Sequence, residues 1–233
     1  MDNSDNYRCI PLLRDKGEIG DSITWEKIFP HIIDFQCEER DFKNYLVSDA
    51  IHDWKSGITK TFLLFWKNRL VGYFSLTIDN IIIECNNVEE RFPSLRITHI
   101  ARDSRYKGWK IGDQLMSFVF ACAYLISNNR MREISTGGQR IEYILVEAKK
   151  GALPYYAKRS FQVMKSPDNP SENIMMYVDI RQLFEIGSDD DLAQENYSLF
   201  ELNSDKKIFT GRVNHHRKCR LEKDQIYLDS SQQ

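Results

Sequence analysis

The stretch from Ile100 to Leu115 constrains this chain more than any other. It reads as the end of a strand (Arg96 to Arg102), a polar, glycine-containing loop (Asp103 to Lys110) and a helix from Ile111 to about Ile126. The helix is apolar on most sides, through Leu115, Met116, Phe118, Val119, Phe120 and Ala123, so it has to be buried. A strand that turns into a buried helix belongs to a layered α/β domain. Such a turn also aims backbone N–H groups and the positive end of a helix dipole at one point, which suits a phosphate or pyrophosphate. Five basic side chains (Arg96, Arg102, Arg105, Lys107, Lys110) lie between Arg96 and Lys110 against one acid, Asp103.

The flanking sequence supplies the rest of a mixed sheet. Arg8 to Leu13 is a first strand, with Pro11 pointing to an edge. Trp25, Ile28, Phe29, Ile32 and Ile33 have helical spacing, and Pro30 is expected to break or kink that helix. Phe42, Tyr45, Leu46, Ala50 and Trp54 place a second amphipathic helix between Glu38 and Gly57. Thr59–Trp66 and Leu70–Ile78 form a hairpin around Lys67-Asn68-Arg69, and Ile81 to Glu84 extends the sheet. Pro93 marks a loop before the strand at Arg96. Ile141 to Ala148 is a strand whose continuous apolar run, Ile144-Leu145-Val146, makes it central. Gly151 to Lys158 is a short helix with Pro154 in its first turn. Phe161–Lys165 and Asn173–Ile180 are strands around a turn at Pro167–Ser171.

With 233 residues, 42% hydrophobic and 28% charged, the chain can bury one substantial core. A net charge of -2 excludes a globally basic nucleic-acid binder, so any polyanion site is a local patch. No apolar run approaches the ~20 residues of a membrane span. The five cysteines (Cys9, Cys37, Cys85, Cys122, Cys219) are widely spaced and odd in number. They argue against a disulfide framework and a structural zinc site, and for a soluble protein of a reducing cytoplasm. The His215-His216 pair has no suitably spaced ligand beside it, so no metal is expected. After Ile180 the character changes. An acidic segment (Glu185–Glu195) precedes a basic one (Lys206–Lys223, seven Lys and Arg against one acid), with short strands expected at Tyr197–Phe200 and Ile208–Phe209.

Two motifs resemble those of the GNAT N-acetyltransferase superfamily. Ile100-Ala101-Arg102-Asp103 and Tyr106-Lys107-Gly108-Trp109-Lys110-Ile111-Gly112 follow its acetyl-CoA signature, Leu-Ala-Val-Asp-x-x-Tyr-Gln-Gly-x-Gly-Ile-Gly. Ala152-Leu153-Pro154-Tyr155-Tyr156, ending at Ser160-Phe161, is similar to its second signature, Ala-x-x-Phe-Tyr-x-x-x-Gly-Phe. Residues 35–76 are similar to the N-terminal half of GNAT toxins from toxin–antitoxin pairs, whose enzymes acetylate the α-amine of aminoacyl-tRNA. The resemblance implies an α/β GNAT fold with a mostly antiparallel sheet flanked by helices. It implies a GNAT domain at 1–180, with 181–233 as a C-terminal extension, partly docked or mobile. The chain departs from the pattern at Lys107, at Lys110 (a glycine in the family) and at Ser160 (also glycine). A lysine forced to positive φ costs ~1–2 kcal/mol.

The resemblance also implies roles. Acetyl-CoA is the cosubstrate, with no metal. Ile100, Ala101 and Arg102 offer backbone groups to its pantetheine arm. Lys107, Gly108, Trp109, Lys110, Ile111 and Gly112 hold its pyrophosphate. Tyr156 protonates the departing thiolate, a task that suits a neutral phenol; Tyr155 reads as core. The amine stays open: the α-amine of charged tRNA, or a protein lysine or small polyamine. Neutralising a lysine at pH 7 costs about 4.6 kcal/mol, against about 1 for an α-amine. His99 and Glu147 are the candidate bases, and neither is compelling, which leans toward the α-amine. The basic groups Lys149, Lys150, Lys158, Arg159 and Lys165 form a rim suited to RNA. An antitoxin is a further expected partner, and a non-catalytic CoA-binding module is the alternative from a different class.

Overall fold

The structure, a computed structural model, describes residues 7–13, 25–85, 88–128, 134, 140–164, 173–184, 201–203, 208–210 and 225–228. The chain divides into two compact units, 1–76 with 99–121 and 189–213, and 77–98 with 122–188 and 214–233. Each is described by itself.

The first unit is organised by a hairpin. Strands β2 (Lys60–Trp66) and β3 (Arg69–Cys85) pair antiparallel from Lys60↔Leu76 to Trp66↔Arg69. Their turn is two residues long, and both of them, Lys67 and Asn68, have positive φ (45° and 62°). That is the turn whose twist matches the strands it joins. Strand β1 (Tyr7–Pro11) pairs with β2 along its whole length, and β9 (Ile208–Thr210) meets it at Cys9↔Phe209. β1 therefore has a strand on both sides rather than lying at an edge. Pro11 is tolerated because it is the last residue of β1 and the β9 contact does not reach it. β8 (Glu201–Asn203) pairs with β9.

Helix α1 (Trp25–Asp34) continues through Pro30, so of the expected break or kink the break is absent. Pro30 is exposed, as the sixth of ten residues, and Ile28 and Ile32 on the same helix are wholly buried. Burial of that face outweighs the loss of one internal hydrogen bond. The expected second helix is three pieces: α2 (Arg40–Asn44), a π-helical segment (Tyr45–Asp49) and α3 (Ala50–Ser56). The wide turn buries Tyr45, whose hydroxyl lies 2.7 Å from Thr59 Oγ1 and whose ring stacks on His99. α3 ends at Gly57 (φ 75°), with the Ile58 amide returning to the Asp53 carbonyl. Phe35, Leu46, Trp54, Leu63 and Tyr73 are part of the core that these elements share.

In the second unit the distal half of β3 pairs with β10 (Gln225–Leu228), an addition that the sequence reading did not foresee. Strand β4 (Val88–Arg102) runs without a loop through Pro93, which corrects the expected break there. Pro93 sits just before the ladder with β5, and its carbonyl accepts a bond from the Glu142 amide at 3.1 Å, so the chain stays tied to its neighbour at the proline. β5 (Tyr143–Lys149) is central as expected. It pairs parallel with β4 and antiparallel with β7 (Asn173–Asp179). Beyond it lie α5 (Leu153–Ala157) and β6 (Gln162–Val163), shorter than the expected strand to Lys165. Helix α6 (Ile180–Phe184) follows β7. The turn at Pro167–Ser171 and the strand at Tyr197–Phe200 lie outside the described residues.

Candidate functional site

β4 delivers the loop and α4 (Ile111–Ser127) follows it. The parallel ladder between β4 and β5 covers Ser94↔Tyr143 to Ile97↔Val146 and stops, although β4 continues to Arg102. Ile100, Ala101 and Arg102 therefore lie beyond the last pair of that ladder. After Arg102 the chain is caught by a buried carboxylate. Asp103 is wholly buried and accepts bonds from the Gln36 amide (3.1 Å), the Arg105 amide (2.9 Å) and the Arg105 guanidinium (2.9 and 2.7 Å). Burial by itself would raise the Asp103 pKa. The hydrogen bonds from Arg105 and the two amides outweigh it and hold the carboxyl below the usual carboxylate range. Arg105 reaches on to Asp34 at 2.9 Å, and the Ser104 amide donates to the Gln36 carbonyl.

The next residues form the cradle. A single 3₁₀ turn (Ser104–Tyr106) is capped by Asp103. The amides of Lys107 and Trp109 donate within the loop, to Ser104 and Tyr106. Those two donors are already used, whereas the amides of Gly108, Lys110 and Ile111 have no backbone acceptor among the described residues. Gly108 (φ 86°) and Lys110 (φ 56°) are both left-handed. The positive φ foreseen for Lys110 is thus present, and the Lys110 carbonyl accepts from the Asp113 and Gln114 amides at the start of α4. Close packing under the loop also needs a glycine. A Cβ on Gly72 would come within 2.9 Å of the Ala101 carbonyl oxygen and of Leu115.

The charge of this stretch is largely balanced. Lys107 and Arg102 both meet Glu38, at 3.3 and 3.6 Å. Arg105 has Asp103 and Asp34, and Arg96 has Asp79 (3.4 Å) and Glu147 (3.2 Å). Among the described residues only Lys110 of the five cations lacks a carboxylate. The sequence gives no sign that Asp34 and Glu38 belong to the loop, because they lie about seventy positions upstream and only the tertiary fold brings them to it. Trp109 is half exposed and packs edge-on against Trp66, 4.9 Å between ring centres.

In the second unit Tyr156 is buried on α5, and its ring meets Tyr155 and Phe161 edge-on. Burial pushes its pKa to about 12. Its backbone carbonyl accepts from Arg159 and Phe161, and Ser160 takes φ 68° to close that turn. Tyr155 is half-buried, with its ring under the Arg159 guanidinium at 3.6 Å. Arg159 is thereby half-buried and engaged in packing, while its charge stays beside the other basic groups of this segment. Lys149, Lys150 and Lys158 are exposed, and Lys165 lies outside the described residues.

Neither candidate base stands ready. His99 stacks on Tyr45 at 3.6 Å with Phe42 at its edge, and burial lowers its pKa. Glu147 accepts a bond from Arg96. Among the described residues no cluster of three or more His, Cys, Asp or Glu could hold a metal, and no helix is long and apolar enough to cross a membrane. His215, His216 and most of the basic segment Lys206–Lys223 lie outside the described residues.

No family model matches the chain, and no curated protein sequence matches it. Solved structures do. A tyrosine-to-phenylalanine mutant of the AtaT toxin, bound to the C-terminus of the antitoxin AtaR and acetyl-CoA, superposes with TM-score 0.54 at 18% identity, over 78% of this chain and 99% of its own. A tyrosine-to-phenylalanine mutant of KacT gives TM-score 0.53 at 20% identity, over 66% and 91%. AtaT complexed with acetyl-methionyl-tRNAfMet gives 0.52 at 14%, over 76% and 96%. The expected GNAT architecture, a mixed, mostly antiparallel sheet flanked by helices, is borne out, and the chain has the fold of these toxin structures.

Proposed function

We propose that the chain is an N-acetyltransferase that moves an acetyl group from acetyl-CoA to the α-amine of an aminoacyl-tRNA. The observation that carries this is the β4–loop–α4 unit. A strand that runs past its parallel partner's ladder leads into a loop with two left-handed residues, unspent amides and a helix N-terminus. Those groups fit a pantetheine arm and a pyrophosphate. The toxin structures of the same fold, one bound to acetyl-CoA and another to an acetylated aminoacyl-tRNA, support the same reading.

The roles follow from the chemistry. Ile100, Ala101 and Arg102 pair with the amides of the pantetheine arm. Gly108, Lys110 and Ile111 supply N–H donors to the pyrophosphate, and Lys107 and Lys110 supply charge. The amine nitrogen attacks the thioester carbonyl carbon, the C–N bond forms, the C–S bond breaks and the ammonium proton leaves to solvent. Tyr156 gives its phenolic proton to the departing thiolate and recovers it from water. A phenol near 12 would transfer its proton uphill by about 5 kcal/mol to a thiolate in water, pKa near 8.5. A thiolate held in the same dry surroundings has its own pKa raised by burial, which closes much of that gap. With His99 stacked and Glu147 paired, an amine that is already partly neutral at pH 7 is the fitting substrate.

The test is acetyl transfer from acetyl-CoA to charged tRNA and, separately, to a free polyamine, at two salt concentrations. Transfer to charged tRNA that falls steeply with salt is expected. Transfer to the polyamine alone retires the tRNA, binding of CoA without transfer leaves a CoA-binding module, and no binding overturns the reading.

A further inference from the structure

We propose that Glu38 is an internal counter-anion of the loop, which a diphosphate-bearing ligand must displace, so that Glu38 sets how much negative charge a ligand has to bring. This rests on the acetyl-CoA reading above. One oxygen of Glu38, Oε1, is shared by Lys107 Nζ at 3.3 Å and Arg102 Nη2 at 3.6 Å. These cations flank the 3₁₀ turn, Arg102 as the last residue of β4 and Lys107 just past Tyr106. A phosphate oxygen held by the same two cations would occupy the position that the carboxylate oxygen fills.

The placement of Glu38 is built in. Two residues before it, the Gln36 amide donates to Asp103 (3.1 Å) and the Gln36 carbonyl accepts from Ser104 (2.8 Å). Arg105 ties Asp34 to the same carboxylate. The backbone that carries Glu38 is therefore pinned to the loop, and the acid can leave only by rotation of its own side chain. That rotation is inexpensive, since the Glu38 and Lys107 side chains are 58% and 73% exposed and such pairs are weak. On Arg102 it is Nη2 that meets Glu38, so Nη2 is the nitrogen a phosphate oxygen would take over. The apparent affinity for a polyanion is reduced by the fraction of molecules in which Glu38 still holds the cations. Uncharged ligand parts feel nothing of this.

The experiment is calorimetry with coenzyme A and with pantetheine, which lacks the phosphates, on the full chain and on Glu38→Gln at low and high salt. Glu38→Gln should bind coenzyme A about three- to tenfold more tightly at low salt, with the gain shrinking at high salt and pantetheine unaffected. Glu38→Ala, which also removes the side chain's bulk, should behave alike, and thermal unfolding checks that both variants are folded. Unchanged or weaker coenzyme A affinity overturns the inference alone. An equal gain for pantetheine does so too, because the effect would not be anion competition. Failure of the unsubstituted chain to bind coenzyme A overturns the acetyl-CoA reading and the inference together.

Discussion

The turn at Asp103–Lys110 and the turn at Lys150–Phe161 each follow a strand, but they are built from opposite materials. The first is held by charge. A fully buried Asp103 gathers four hydrogen bonds, Arg105 links two acids, and Glu38 bridges two cations. The second is held by aromatic rings, with Tyr156 packed edge to face against both Tyr155 and Phe161 and a guanidinium laid on Tyr155. The difference matches what each would have to do. An anion is held by oriented amides and cations that were fixed before it arrived, whereas a proton donor has to stay neutral, which a dry aromatic setting ensures. Both turns nevertheless place a non-glycine residue at positive φ, Lys110 in one and Ser160 in the other.

The largest expected effect tests the aromatic turn. Tyr156→Phe keeps the ring packing and removes the proton, so turnover should fall about 10²- to 10⁴-fold while acetyl-CoA affinity survives. Tyr155→Phe should lose far less. An equal loss in the two variants would erase the distinction drawn for Tyr156.

Next in size is the charged turn. Asp103→Asn leaves Arg105 and two amides without their ionised acceptor and should cost about 2–3 kcal/mol in urea unfolding, less than a fully buried pair because Arg105 is 39% exposed. The pH dependence follows from the depressed pKa. Asp103 stabilises fully above its unfolded pKa, near 3.9, and the contribution is lost as pH falls through the lower folded value. The acid limb of stability against pH should therefore be shallower in Asp103→Asn. Identical acid limbs would mean that charge does not hold this turn.

The smallest effect treats the two turns alike. Lys110→Gly and Ser160→Gly each relieve a left-handed side chain and should stabilise by up to about 1 kcal/mol, net of glycine's greater unfolded-state freedom. Lys110→Gly should also weaken coenzyme A binding by removing a cation, and Ser160→Gly should leave it unchanged.

Much of the fold was legible because it rests on local pattern. The apolar run at Ile144–Val146 marked a central strand, the polar break at Lys67-Asn68-Arg69 a hairpin turn, and Gly57 a helix end; all three stand, with Arg69 already in the second strand of the hairpin. Local rules failed where burial overrode them. Pro30 lies inside a helix and Pro93 inside a strand, where a break at each was one local expectation, and at Pro30 burial of the helix face outweighs the lost hydrogen bond. The positive φ at Lys110 was readable from its place in the glycine pattern, as was the neutral phenol at Tyr156 from its chemical type. The sequence by itself thus determined the strand–loop–helix, its amides and its cations. Only the tertiary structure decided that four of those five cations, all but Lys110, arrive already paired. Asp34 and Glu38 reach Arg102, Arg105 and Lys107 across about seventy residues, and charge pairing at that separation depends on how the elements pack, which no local spacing records.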